Sequence, residues 1–172
     1  YARRPGMKQP TDLGYGGLRV AGSPLPQHEG AVGDFYMALA THVQDRMLGD
    51  VWLSPLDIVF DAPKALILQP DLFFVSRERS YILSDRMRGA PDMVMEVLSP
   101  DPRIGKLAER LGWFAEYDVR ECWLLLQFER RLEVVGFADG SITSRVSFDR
   151  RTPLRSAVLP DFRKTVDTIL RW

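Results

Sequence analysis

The run Met93-Val94-Met95-Glu96-Val97-Leu98 constrains this chain more than any other. It has the length of a strand and is apolar except for one carboxylate. A second run, Cys122–Phe128, is almost continuously hydrophobic and reads as a central strand, buried on both faces. Strands of this kind belong to sheets covered by helices. A carboxylate buried without a partner costs several kcal/mol, roughly, so Glu96 requires one.

The remaining pattern places these strands in order. With 172 residues, the chain reads as one domain, 1–172. Residues 1–27 are rich in Gly and Pro and form an N-terminal arm with one short strand near Leu18–Val20. Val32, Phe35, Tyr36, Leu39, Val43 and Met47 share a helical face, predicting a helix over 28–48 that Gly49 ends. Strands are predicted over 51–60, with Pro55 marking a bend or edge, over 67–75 and over 93–98. The polar connection Ser76–Pro91 is long for a loop, which points either to a short helix, near Tyr81–Leu83, or to a functional role. Asp101 and Pro102 open a second helix that runs to about Tyr117, with Leu107, Leu111 and Phe114 inward. Strands over 122–128, 132–137 and 142–148 follow, then a short helix beginning at Pro160-Asp161. The order is helix, three strands, helix, strand and a β tail, a mixed α/β sheet.

Composition narrows the function. Lys plus Arg and Asp plus Glu are each 23, so the formal charge is zero and any binding to nucleic acid must rest on a local patch. No apolar run approaches the roughly 18 residues that span a membrane. A single cysteine, Cys122, excludes a disulfide framework and a cysteine-built zinc site, and points to a reducing cytoplasm.

Two carboxylates stand out. Asp71 lies in Leu-Gln-Pro-Asp-Leu-Phe-Phe-Val, and Glu96 shares a strand face with Val94 and Leu98. Neighbouring strands would bring them together, where they repel unless a proton or cation is shared. A divalent ion with oxygen ligands is one solution. The other is that Glu96 pairs with an Arg in the core while Asp71 ends a turn after Pro70. Lys106, Arg110, Trp113 and Tyr117 form a second stripe on the second helix, able to face the Glu96 strand or solvent. His28 reaches such a site only if its helix end does, and His42 reads as a helix residue. Asp57 and Asp92 stand near strand ends. No zinc-protease, phosphate-loop or nucleophile-elbow motif is present.

These residues resemble a known family. Ser54-Pro55-Leu56-Asp57, Gln69-Pro70-Asp71-Leu72-Phe73-Phe74-Val75 and Gly89-Ala90-Pro91-Asp92 through Glu96-Val97-Leu98-Ser99-Pro100 look like the Uma family of putative restriction endonucleases. Asp118-Val119-Arg120-Glu121-Cys122-Trp123-Leu124 and Ser156-Ala157-Val158-Leu159-Pro160 extend the likeness to the tail. The family is similar to the PD-(D/E)XK nuclease-like superfamily, which implies a restriction-endonuclease-like core. By resemblance, Asp71 and Glu96 hold one or two Mg²⁺ (or Mn²⁺) ions, with a Lys assisting. Position 98, where that Lys usually stands, is Leu98, and in the family pattern the Lys moves to the following helix. There Lys106 stands where an Asp is expected and Arg110 where the Lys is expected, so Lys106 and Arg110 are the candidate cations.

The expected function is a Mg²⁺-dependent endonuclease acting on phosphodiester bonds in DNA. Arg77, Arg79, Arg86, Arg88 and Arg103 are the candidate nucleic-acid contacts. The alternative is a catalytically impaired nuclease-like fold serving as a nucleic-acid-binding or protein-interaction module. Further expectations are that Arg110 forks onto Glu96, and that open strand edges join a homodimer.

Overall fold

The computed structural model describes residues 11–20, 25–98 and 104–171. Thr11–Gly14 (β1) and Gly17–Val20 (β2) form a hairpin, followed by the helix Pro26–Asp45 (α1). Gly49–Leu53 (β3), Ile58–Asp61 (β4), Leu66–Leu68 (β5) and Leu72–Ser76 (β6) come next. A 3-10 helix, Arg77–Ile82, leads to Met87–Arg88 (β7) and Met93–Leu98 (β8). Ile104–Glu116 (α2), Glu121–Leu126 (β9), Arg131–Ala138 (β10), Ser141–Phe148 (β11) and Val166–Ile169 (α3) complete the fold.

The large sheet has six strands in the order β11-β10-β9-β8-β6-β3, and β8 and β9 are parallel across the α2 crossover. Its core is α1, then β3, β6 and β8, then α2 and β9, which is the expected order of helix, three strands, helix and strand. A second, smaller sheet has the order β2-β1-β5-β4-β7. No helix among the described residues is long and apolar enough to cross a membrane.

Period-two alternation divides the large sheet into two buried faces. Leu72, Phe74, Met93, Met95, Val97, Trp123 and Leu125 pack against α1, α3 and the C-terminal segment. Phe73, Val75, Val94, Cys122 and Leu124 pack against α2 and the small sheet. Glu96 shares the parity of Val94, so it belongs to the α2 side. Burial on both faces is why β6, β8 and β9 read as nearly continuous hydrophobic runs, with Glu96 the interruption in β8.

Several expected boundaries move. The stretch 51–60 is two strands in different sheets, parted by a cis Ser54-Pro55 peptide. The stretch 67–75 divides likewise at Gln69-Pro70-Asp71, because Pro70 removes a ladder donor. The arm contains two strands rather than one. Helix α1 stops at Asp45, and Met47 rather than Gly49 takes the compact positive φ, 51°. Gly49 is required for close approach: a Cβ there would meet the Val75 carbonyl oxygen at 2.1 Å. Pro160 and Asp161 form a turn, and α3 begins five residues later, capped by Thr165 and Thr168. The expected helix start at Asp101-Pro102 lies outside the described residues.

Candidate active site

The β6–β8 ladder ends at Leu72 paired with Met95. One step further, Asp71 faces the position of Glu96, but Pro70 and the bend at Asp71 stop the backbone pairing. The side chain takes over. Asp71 Oδ2 accepts the Val97 backbone N–H at 2.7 Å, a short, charge-assisted bond. The Asp71 carboxylate is therefore anchored to the residue beside Glu96. Its backbone oxygen accepts the Ser54 N–H at 3.1 Å, which holds β3 at the same end.

Helix α1 brings a third group. His28 Nε2 lies 3.3 Å from Asp71 Oδ2, and Nδ1 lies 3.3 Å from Glu29 Oε1. The bond to Asp71 raises the imidazole pKa above its ordinary value, against the opposing effect of burial. The helix end thus does reach the carboxylates, the condition on which the reading of His28 depended.

Helix α2 brings the cation. Arg110 Nε donates to Glu96 Oε1 at 3.1 Å, Nη2 reaches the same oxygen, and Nη1 reaches Asp12 Oδ2. The guanidinium lies 5.7 Å from the Phe114 ring centre, one turn along α2. Burial pushes the Glu96 carboxyl up to about 7; Arg110 pulls against this and Asp71 adds to it. Burial would lower the Arg110 pKa, but Glu96 and Asp12 outweigh it and raise it. The expected fork between Arg110 and Glu96 is therefore present. Lys106 lies one turn earlier on α2.

Asp12 was missed by the sequence reading. It sits in β1, its Oδ1 accepts the Gln69 N–H at 2.8 Å, and Gln69 Nε2 donates to Asp57 Oδ1 at 2.6 Å. The available signal was local: Thr-Asp-Leu-Gly-Tyr-Gly-Gly-Leu is a hairpin sequence, with glycines at the turn. Reading it as a loose arm hid a carboxylate on a strand.

The arginines do not converge on one place. Arg77 follows β6 at the end opposite Asp71, about 20 Å away along an extended strand. Arg79 is buried, donating to the carbonyls of Ala90, Pro91 and Asp118 and to the Asp118 carboxylate. It is a strut, not an open contact. Arg86 and Arg88 are exposed at the β7 edge of the small sheet. Met87 pairs with Ile58, and Ile58 with Leu68, so β7 lies about 10 Å across the sheet from the strand leading to Asp71. Arg103 lies outside the described residues.

As they stand, no three His, Cys, Asp or Glu side chains among the described residues are arranged to hold a metal ion. Arg110 supplies the positive charge at Glu96. The donor chemistry nevertheless fits a hard divalent cation. Asp12, Asp71 and Glu96 bring three carboxylates against one guanidinium and one imidazole, and among the described residues the contacts at Asp71 and Glu96 fall on Oδ2 and Oε1.

The family profile Uma2, described as "Putative restriction endonuclease", matches residues 3–167. The chain belongs to the Uma2 family. A crystal structure of a "putative nuclease belonging to DUF820" from Anabaena variabilis is similar to this chain with a TM-score of 0.80. Identity is 15%, and the match covers 98% of this chain and 94% of that one, which shows the fold. No curated protein matches. Family membership supports a nuclease function.

Several motif residues that carry the likeness to Uma2 serve the fold. Glu121 is buried and accepts the Trp123 Nε1–H at 2.7 Å, the Ser156 hydroxyl at 2.5 Å and the Ala157 N–H at 2.8 Å. This ties the C-terminal segment to β9. Asp92, fully buried, accepts the Ser76 N–H at 2.7 Å and lies 3.1 Å from Arg120 Nη1. These two carboxylates are structural braces, while Asp71 and Glu96 meet at the other end of the strands.

Proposed function

We propose that this protein is a metal-dependent endonuclease that hydrolyses phosphodiester bonds in DNA, with Asp71 and Glu96 holding one or two Mg²⁺ or Mn²⁺ ions. The supporting observation is the seating of Asp71 on the Val97 N–H, which sets both carboxylates at the ends of adjacent strands. Bound there, such an ion polarises the phosphate and makes an attacking water more acidic.

The chain's own groups do the rest. Val97 N–H and His28 fix the Asp71 carboxylate from two sides. Arg110 stays protonated at any working pH and offsets charge that develops on the phosphate. Lys106, on the same helix, adds a second positive charge. Arg86, Arg88, Arg77 and Arg103 hold the nucleic-acid backbone, Arg86 and Arg88 from the small-sheet edge. The protein works as one domain, in the cytoplasm, as a homodimer joined at an open strand edge. Light scattering that gives a dimer mass supports the last point, and a monomer mass at high micromolar concentration rejects it.

One observation favours a second reading. Arg110 pairs with Glu96, as it would in a nuclease-like fold that binds nucleic acid without cleaving it. Supercoiled plasmid incubated with Mg²⁺ or Mn²⁺ separates the two. Nicking that disappears in Asp71→Asn and Glu96→Gln is expected. Nicking that survives both variants rejects the site. Metal-independent DNA binding without nicking installs the second reading.

A further inference from the structure

Arg110 uses two separate edges of its guanidinium. Nε and Nη2 face Glu96 Oε1, while Nη1 faces Asp12 Oδ2. All three side chains are largely buried, at 14%, 13% and 20% exposure for Arg110, Glu96 and Asp12. A cation arriving at Glu96 competes directly with Arg110. The guanidinium cannot lose its proton, and a buried charge left unpaired is strongly disfavoured. Asp12 is the carboxylate that can keep it, because the Nη1 contact does not involve the edge that faces Glu96. Asp12 itself is held in place by the Gln69 N–H on its other oxygen, so it need not follow the guanidinium.

We propose that Asp12 is a positioning residue for the cation site: it retains Arg110 when a divalent cation takes Glu96, and so sets how tightly the Asp71–Glu96 pair binds metal. This rests on the metal-dependent reading above. The hairpin β1–β2 is then part of the site, although it sits on the small sheet. Without Asp12, Arg110 has Glu96 as its remaining carboxylate contact among the described residues and competes harder.

The test is a double-mutant cycle read as Mn²⁺ affinity, by calorimetry or by the spin resonance of free Mn²⁺, on the full chain. Asn at position 12 keeps an oxygen for the Gln69 N–H and removes only the charge. Asp12→Asn should weaken Mn²⁺ binding at least about fivefold, within the usual range of site coupling. In an Arg110→Gln background, whose own affinity should be higher, the same change should cost less than about twofold. Asp12→Glu should restore most of the affinity. Melting curves check that each variant is folded, and Asp12→Ser repeats the cycle if Asp12→Asn is not. Equal losses in both backgrounds mean that Asp12 acts directly on the ion, and the proposal fails while the metal site stands. Mn²⁺ binding that is indifferent to Asp71→Asn, or absent altogether, removes the metal-dependent reading and this inference with it.

Discussion

A guanidinium and an ammonium do different work beside a phosphate. Arg110 is planar and forks onto Glu96, an arrangement that neutralises the carboxylate a metal would need. A lysine there would be a compact charge with no fork to hold it on Glu96. Arg110→Lys should therefore raise Mn²⁺-dependent plasmid cleavage by roughly tenfold, a barrier change of about 1.4 kcal/mol. If the variant gains nothing while Lys106→Ala abolishes an existing activity, Lys106 is the working cation. Glu121 makes the opposite prediction. Its three donors, on Trp123, Ser156 and Ala157, would be left unsatisfied in Glu121→Ala. That substitution should cost about 3 kcal/mol in denaturant unfolding and leave Mn²⁺ affinity unchanged in the folded protein. In sequence, both residues were a charge in or beside apolar surroundings. Glu96 stood out because it interrupts a strand, whereas two of the three partners of Glu121, Ser156 and Ala157, lie 35 and 36 positions away.

At the scale of elements, α1 is fixed at both ends by histidines with opposite proton demands. His42 Nε2 lies 2.8 Å from the Pro160 carbonyl oxygen, with its ring edge-on to Phe162. Burial lowers its pKa below the ordinary value near 6.5, the bond to Pro160 acting against it. The unfolded chain therefore takes up a proton at His42 before the folded chain does. Its stabilising effect is complete above about pH 6.5 and is lost as pH falls through the lowered value. His28, raised by Asp71, contributes in the opposite sense: its effect is present below about pH 6.5 and lost as pH rises through the raised value. In urea unfolding, His42→Gln should lose less stability between pH 7.5 and 5.5 than the wild type does. An unchanged pH dependence would remove His42 from the account. Helix α1 itself was plain in the sequence, because its buried stripe repeats at helical spacing. The splitting of 51–60 and 67–75 was not, because a hydrophobic run has the same appearance whether one sheet or two take it up. Pro55 and Pro70 marked both breaks, and only tertiary pairing shows that the chain changes sheet at each.

At the scale of the molecule, the carboxylates gather where α1, α2 and the two sheets meet. Asp12 comes from the small sheet, Asp71 from the bend just before β6, Glu96 from the large sheet, His28 from α1 and Arg110 from α2. The core order and the Asp71–Glu96 pair were legible in the sequence, since they follow from strand pattern and polarity. The Asp12 contribution was not, because it depends on how the small sheet docks. Three carboxylates brought together from separate segments repel one another in the folded chain and are far apart in the unfolded one. A divalent cation that binds them must then stabilise the fold. For a ligand at a hundred times its dissociation constant, the gain is about 2.7 kcal/mol. In a domain of this size, that raises the melting temperature by roughly 5–11 °C. Mn²⁺ should produce such a rise, and a chelator should reverse it. Asp71→Asn should abolish the rise, while Asp92→Asn, changed at the opposite end of β8, should lower the starting temperature and keep it. A shift of the same size in Asp71→Asn would place the ion elsewhere on the protein, and these carboxylates would lose their claim to it.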